Sequence, residues 1–148
     1  MAQAPNDRKK WMSLLAKAPS ALLDELFGEL SRIPSFTWLR APEVGAVMVR
    51  GRAGAVGAPF NLGEMTVTRC ALRLATGEVG HSYVQGRDKE KARQAAVIDA
   101  LMQTEESDLV SRTVLGPIEQ ALNTRRQERA AKADATRVDF FTLMRGED

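Results

Sequence analysis

The residues best suited to chemistry cluster around one corner, HSYVQGRDKEKARQAAVIDAL at positions 81–101. A short alternating run ends at Gly86, and Arg87 and Lys89 flank Asp88 before a helical pattern begins. Two cations at a strand-to-helix corner could hold a phosphate. Asp88, however, is a natural N-cap whose carboxylate would occupy the positive helix end. Capping is therefore the first role of this corner, with Arg87 and Lys89 left to meet an anion or an acidic partner.

Other arginines lie on or beside the strands: Arg50, Arg52, Arg69 and Arg73. Guanidinium groups suit phosphate and phosphonate oxygens because they bind bidentately. The candidate anion-binding set is Arg50, Arg52, Arg69, Arg87 and Lys89. Arg69 shares a strand face with Met65, Val67 and Ala71, so a structural ion pair with Glu64 or Asp88 is its competing role. The loop GRAGAVGAP at 51–59 lacks the Gly-Lys-Ser/Thr ending of a P-loop and no helix pattern follows it, so it reads as a strand connection. His81 and Ser82 are consecutive strand residues and point to opposite faces, so they cannot form a nucleophile–base pair. His81 reads as a hydrogen-bonded structural residue, and Cys70 as a packed, inert thiol. No metal-ligand cluster and no catalytic residue can be nominated.

Composition limits the alternatives. The chain has 148 residues, 21 basic and 19 acidic, for a net charge of +2. That gives no electrostatic case for wholesale nucleic-acid binding. One cysteine and one histidine exclude an internal disulfide and the usual structural zinc site. No stretch reaches the roughly 20 apolar residues of a bilayer crossing and no secretory leader is evident, so the expected location is cytoplasmic.

The expected fold is α+β, a single domain over 1–148. Two helices occupy 1–34, with Trp11, Leu14, Leu15 and Ala18 on one stripe and Leu22, Leu23, Leu26, Phe27 and Leu30 on the next. A sheet and its packing helix fill 36–104. Strands are expected at 36–40, at 44–49 (VGAVMV, apolar enough for a central covered strand), at 61–74 and at 79–85, with a hairpin turn at 75–78. That is a four-stranded antiparallel meander. The last part, 107–148, reads as C-terminal helices, with Gly116-Pro117 interrupting one and starting another.

The final helix is unusual. Residues 123–137 (NTRRQERAAKADATR) hold almost nothing large and apolar, while Val138, Phe140, Phe141, Leu143 and Met144 crowd behind them. Each large side chain buried is worth about 1.5–3 kcal/mol. A polar arm with an apolar tip fits a segment that docks on a partner, although the tail could also fold back on its own sheet. The basic residues Arg125, Arg126, Arg129, Lys132 and Arg137 offer a different reading, a nucleic-acid-binding helix, diluted by Glu128 and Asp134.

Five segments carry a family resemblance: WMSLLA (11–16), GAPFNLGEMTVTR (57–69), GHSYVQGRDK (80–89), VIDALMQ (97–103) and RVDFFTLMRG (137–146). In this order they resemble the PhnG family, a small subunit of the bacterial carbon–phosphorus lyase core complex. The resemblance implies PhnI-, PhnH- and PhnJ-like partners, with PhnL- or PhnK-like ATPase proteins associating. It implies a shared reaction in which methylphosphonate displaces adenine from ATP, giving α-D-ribose 1-methylphosphonate 5-triphosphate, in organic phosphonate catabolism. ATP and methylphosphonate are then substrates of the complex, and this chain is expected to bind no cofactor of its own and to be a non-nucleophile subunit.

Overall fold

A computed structural model describes residues 5–52, 57 and 59–146, with side chains described over 7–51, 57 and 62–136. The element order is α1 (Pro5–Lys17), α2 (Ser20–Gly28), β1 (Phe36–Arg52), β2 (Pro59–Leu74), β3 (Val79–Gln85), α3 (Lys89–Leu101), the single turn α4 (Ser107–Val110), a π-turn (Ser111–Leu115) and α5 (Gly116–Gly146). The architecture is α+β.

The sheet is an antiparallel meander in the order β1-β2-β3, with three strands where the sequence led us to expect four. The expected strands at 36–40 and 44–49 are one strand, β1. Pro42 suggested a break, since proline cannot donate to a ladder. Here β1 lies at the sheet edge, and Pro42 falls where the register with β2 shifts, between Arg40↔Ala71 and Glu43↔Arg69. Edge positions and bulges are where a strand tolerates proline. The apolar run at 44–49 is likewise not a covered central strand. The β1–β2 ladder runs on to Arg52↔Pro59, whereas β3 pairs only as far as Val67↔Gln85. Beyond that point Met48 and Leu62 are exposed, Leu62 by 63%, and Val44, opposite Thr68 where β3 still pairs, is exposed as well.

Helix α3 covers one sheet face. Cys70, Leu72 and Leu74 of β2 and Val84 of β3 point inward against Ala92, Ala95, Ala96 and Ile98. Trp11 and Leu15 of α1, Leu23 and Leu26 of α2, and Val110, Val114 and Ile118 complete one core. The alanine-rich face of α3 and Gly80 allow a close approach. A Cβ built at Gly80 would lie 2.0 Å from the carbonyl oxygen of Ala96. The hairpin turn after β2 forms as expected: the Gly77 N–H donates to the Leu74 carbonyl at 2.8 Å, and Gly77 takes φ +106°, a region open to glycine.

Gly116-Pro117 does not interrupt the helical path. Proline lacks an N–H, and its ring crowds the carbonyl four residues back. The π-turn widens the path just before it, with the Gly116 N–H reaching back to the Ser111 carbonyl. Among the residues of α5 whose side chains are described, only the start, through Ile118, Ala121 and Leu122, is buried or half-buried, and residues 123–136 are exposed throughout. The side chains of Val138, Phe140, Phe141, Leu143 and Met144, read as the docking tip, lie outside the described residues.

Candidate functional site

The corner between β3 and α3 is built as a cap. Asp88 has extended backbone angles, and its side chain accepts the Lys91 N–H at 2.9 Å. That bond holds the Asp88 carboxyl below its usual range. Gly86, at φ +90°, turns the chain, its N–H donating to the Thr66 carbonyl and its carbonyl accepting from Thr68 Oγ1 at 2.6 Å. The helix end is thus occupied by its own carboxylate, while Arg87 and Lys89 stand exposed beside it.

The other candidate cations are not gathered here. Arg50 pairs with Asn61, six residues along β2 from the last β3 pair at Val67. At about 3.3 Å per residue that is roughly 20 Å away. The Arg52 side chain lies outside the described residues. Arg69 pairs with neither Glu64 nor Asp88. Its Nε donates to Glu43 Oε1 at 2.9 Å, and Arg40 Nη1 approaches the same oxygen at 3.5 Å. Register explains the choice: Glu43 lies opposite Arg69, whereas Glu64 projects from the other face of β2.

His81 is exposed and Ser82 buried, on opposite faces as the strand period requires. The expected structural hydrogen bonding of the His81 side chain is not present among the described residues; its backbone N–H is the bonded group. Cys70 is buried, with Sγ 3.2 Å from Ser82 Oγ and from the Ala92 carbonyl oxygen, and burial pushes its thiol pKa up. A raised pKa leaves little thiolate, the reactive form.

The most connected polar group is one that the sequence reading passed over. Asp99 of α3 is fully buried. It accepts from Arg8 Nε at 3.2 Å and Nη2 at 2.8 Å, from Trp11 Nε1 at 2.8 Å and from the His81 N–H at 2.8 Å. One carboxylate thereby ties α1 and the free edge of β3 to α3. Its signal was an acidic residue inside the apolar stretch AAVIDAL, with Arg8 and Trp11 three apart on one helix face. Nearby, Lys91 is buried and its Nζ donates to the Ala16 carbonyl at 3.2 Å, near the end of α1. Burial lowers its pKa.

Among the described residues no group of three or more His, Cys, Asp or Glu could hold a metal, and no helix is long and apolar enough to cross a membrane. Among the described residues the chain thus offers exposed cations and rigid polar locks, with no nucleophile beside a base.

The family model described as "Phosphonate metabolism protein PhnG" matches residues 6–146. The chain is also 43% identical, over 141 residues, to the "Alpha-D-ribose 1-methylphosphonate 5-triphosphate synthase subunit PhnG" of Rhizobium meliloti (strain 1021). That match covers 95% of this chain and 90% of the relative. The capped corner, the paired strands and the locked α1 all fall within the matched span, and the chain belongs to the PhnG family of phosphonate metabolism proteins.

Proposed function

We propose that this chain is a non-nucleophile subunit of an α-D-ribose 1-methylphosphonate 5-triphosphate synthase. The enzyme transfers the ribose 5-triphosphate moiety of ATP to methylphosphonate and releases adenine, in organic phosphonate catabolism. The observation that carries this reading is the 43% identity, across 95% of the chain, to a protein bearing that name. The site chemistry supports it: His81 and Ser82 face apart, the Cys70 thiol is buried, and Arg87, Lys89 and residues 123–136 of α5 are exposed.

The subunit works in the cytoplasm with PhnI-, PhnH- and PhnJ-like partners, and PhnL- or PhnK-like ATPase proteins join them. The polar stretch of α5 carries the tail residues Val138, Phe140, Phe141, Leu143 and Met144 to a partner. ATP and methylphosphonate are substrates of the assembly, and the chain holds no cofactor itself. Arg87 and Lys89, standing free of the capped helix end, are the anion contacts best placed to meet phosphate or phosphonate oxygens; Arg50, Arg52 and Arg69 complete the candidate set.

The test is reconstitution. Co-expressed partners are assayed for adenine release from ATP in the presence of methylphosphonate, with and without this chain. Transfer is expected only with the chain present. Full transfer without it overturns the reading. An Arg87→Ala complex that assembles normally and turns over at an unchanged rate removes Arg87 from the site.

A further inference from the structure

The sheet face not covered by α3 carries a second constellation. Cross-strand partners share a face, and the register sets two adjacent rows there: Arg40–Ala71–His81 and Glu43–Arg69–Tyr83. With strands about 4.8 Å apart, Arg40 and His81 are separated by roughly 10 Å across the methyl group of Ala71. One small residue ringed by two guanidinium groups, an imidazole and a phenol leaves a hollow. A cleft of about 610 Å³ runs over this face, bordered by Arg40, Arg69, Ala71, His81 and Tyr83 together with Leu39 and Met12. That size falls within the ≈ 300–1,000 Å³ of small-molecule sites.

Charge defines the ligand class. Glu43 Oε1 is 2.9 Å from Arg69 Nε and 3.5 Å from Arg40 Nη1. A single carboxylate oxygen thus holds two guanidinium groups side by side and leaves the trio with a net positive charge. Each guanidinium has five N–H donors, so most remain without a partner among the described residues. The side chains of His81 and Tyr83 also have no hydrogen-bond partner there, and Tyr83 is 44% exposed. Paired guanidinium groups match an oxyanion with several oxygens, because each can donate two parallel hydrogen bonds. Ala71 and Leu39 supply an apolar floor for the carbon portion of a ligand.

We propose that this hollow binds the tetrahedral oxyanion of a phosphoryl or phosphonyl compound, with Arg40 and Arg69 as its charged contacts and Glu43 as the group that aligns them. The choice of a phosphoryl or phosphonyl ligand rests on the proposed function, whose candidate set already holds Arg69, whereas binding in the hollow is tested on the isolated chain, apart from any assembly.

The sequence supplies an unusually clean reporter, since His81 is the only histidine and Tyr83 the only tyrosine. Their ring resonances are followed by NMR in the untagged full-length chain, at fixed pH and ionic strength. Inorganic phosphate, methylphosphonate and ATP are titrated separately. Saturable shifts of both rings are expected. Tighter binding of ATP assigns the oxyanion to a nucleotide's phosphate chain, and comparable binding of all three assigns it to an isolated phosphoryl or phosphonyl group. Arg69→Gln is expected to weaken binding by about tenfold or more, the scale of a lost charged hydrogen bond. Glu43→Gln is expected to tighten it, because a competing carboxylate is gone. Both side chains are about half exposed, so the variants keep the fold, as an unchanged unfolding midpoint verifies. No saturable shift with any probe, or equal affinity in wild type and Arg69→Gln, overturns the proposal.

Discussion

The carboxylate of Asp99 and the indole of Trp11, 88 residues apart in sequence, meet in a buried hydrogen bond of 2.8 Å. Arg8 and the His81 N–H complete the set on the same carboxylate. Replacing Asp99 with alanine leaves the indole N–H and a backbone N–H without an acceptor. Arg8, partly exposed, can turn to water, so the loss falls mainly on the other two. Breaking a buried charge network typically costs about 3–5 kcal/mol. Denaturant unfolding of Asp99→Ala is expected to show a loss of this order, whereas Glu105→Ala, at an exposed position, stays within about 0.5 kcal/mol of wild type.

Gly80 sets how closely α3 approaches β3. An added methyl group would lie 2.0 Å from the Ala96 carbonyl oxygen and 2.9 Å from the Ala100 Cβ, so the helix would have to move. Gly80→Ala is expected to cost about 3 kcal/mol, the upper part of the overpacking range. Gly45→Ala is the control. Its methyl group meets nothing within 4 Å, and its unfolding midpoint is expected to match or slightly exceed wild type.

Asp88 gives a pH-dependent term of known sign. The Lys91 N–H holds its folded-state pKa below the usual value. A depressed carboxyl contributes stability in full above its unfolded pKa of about 3.9 and loses it as pH falls through the folded value. Asp88→Ala is therefore expected to be less stable by about 1 kcal/mol at neutral pH, the usual worth of such a cap. The gap is expected to stay level down to roughly pH 5 and to close below about 3.9. Urea midpoints measured across that span check it, and a gap that widens on acidification contradicts the capping role.

Removal of residues 138–148 separates docking from folding. Among the described residues the core lies at or ahead of Leu122, and the truncated chain is expected to unfold within about 0.5 kcal/mol of the full one. Its recovery with co-expressed partner subunits is expected to fall sharply. Undiminished recovery in a pull-down would place the contact elsewhere on the chain.

Periodicity made most of the elements legible. The two amphipathic stripes became α1 and α2, and Asp88 announced the start of α3. Where the reading failed, tertiary position overrode local preference. Pro42 argues for a strand break unless the strand lies at an edge with an irregular register, and edge position is not written in five residues of sequence. The run at 44–49 has the apolarity of a covered strand, but coverage depends on how far β3 extends. The Arg40–Glu43–Arg69 cluster needed the register itself, because Glu43 and Arg69 are 26 residues apart. Asp99 left a fainter trace, a lone carboxylate in an apolar turn, and a charge in that setting calls for a search for its cations.

The π-turn at Ser111–Leu115 has a geometric consequence. Such a turn amounts to one surplus residue in the helical path, and each residue of an α-helix rotates the next by about 100°. That rotation is absorbed inside the turn, because the Gly116 N–H reaches Ser111 rather than Arg112, so deleting one residue there would restore ordinary bonding to the fourth residue back and leave the helix beyond at nearly its present azimuth. The turn thereby keeps the apolar start of α5, Ile118 above all, facing the core although one more residue precedes it than a regular helix would need.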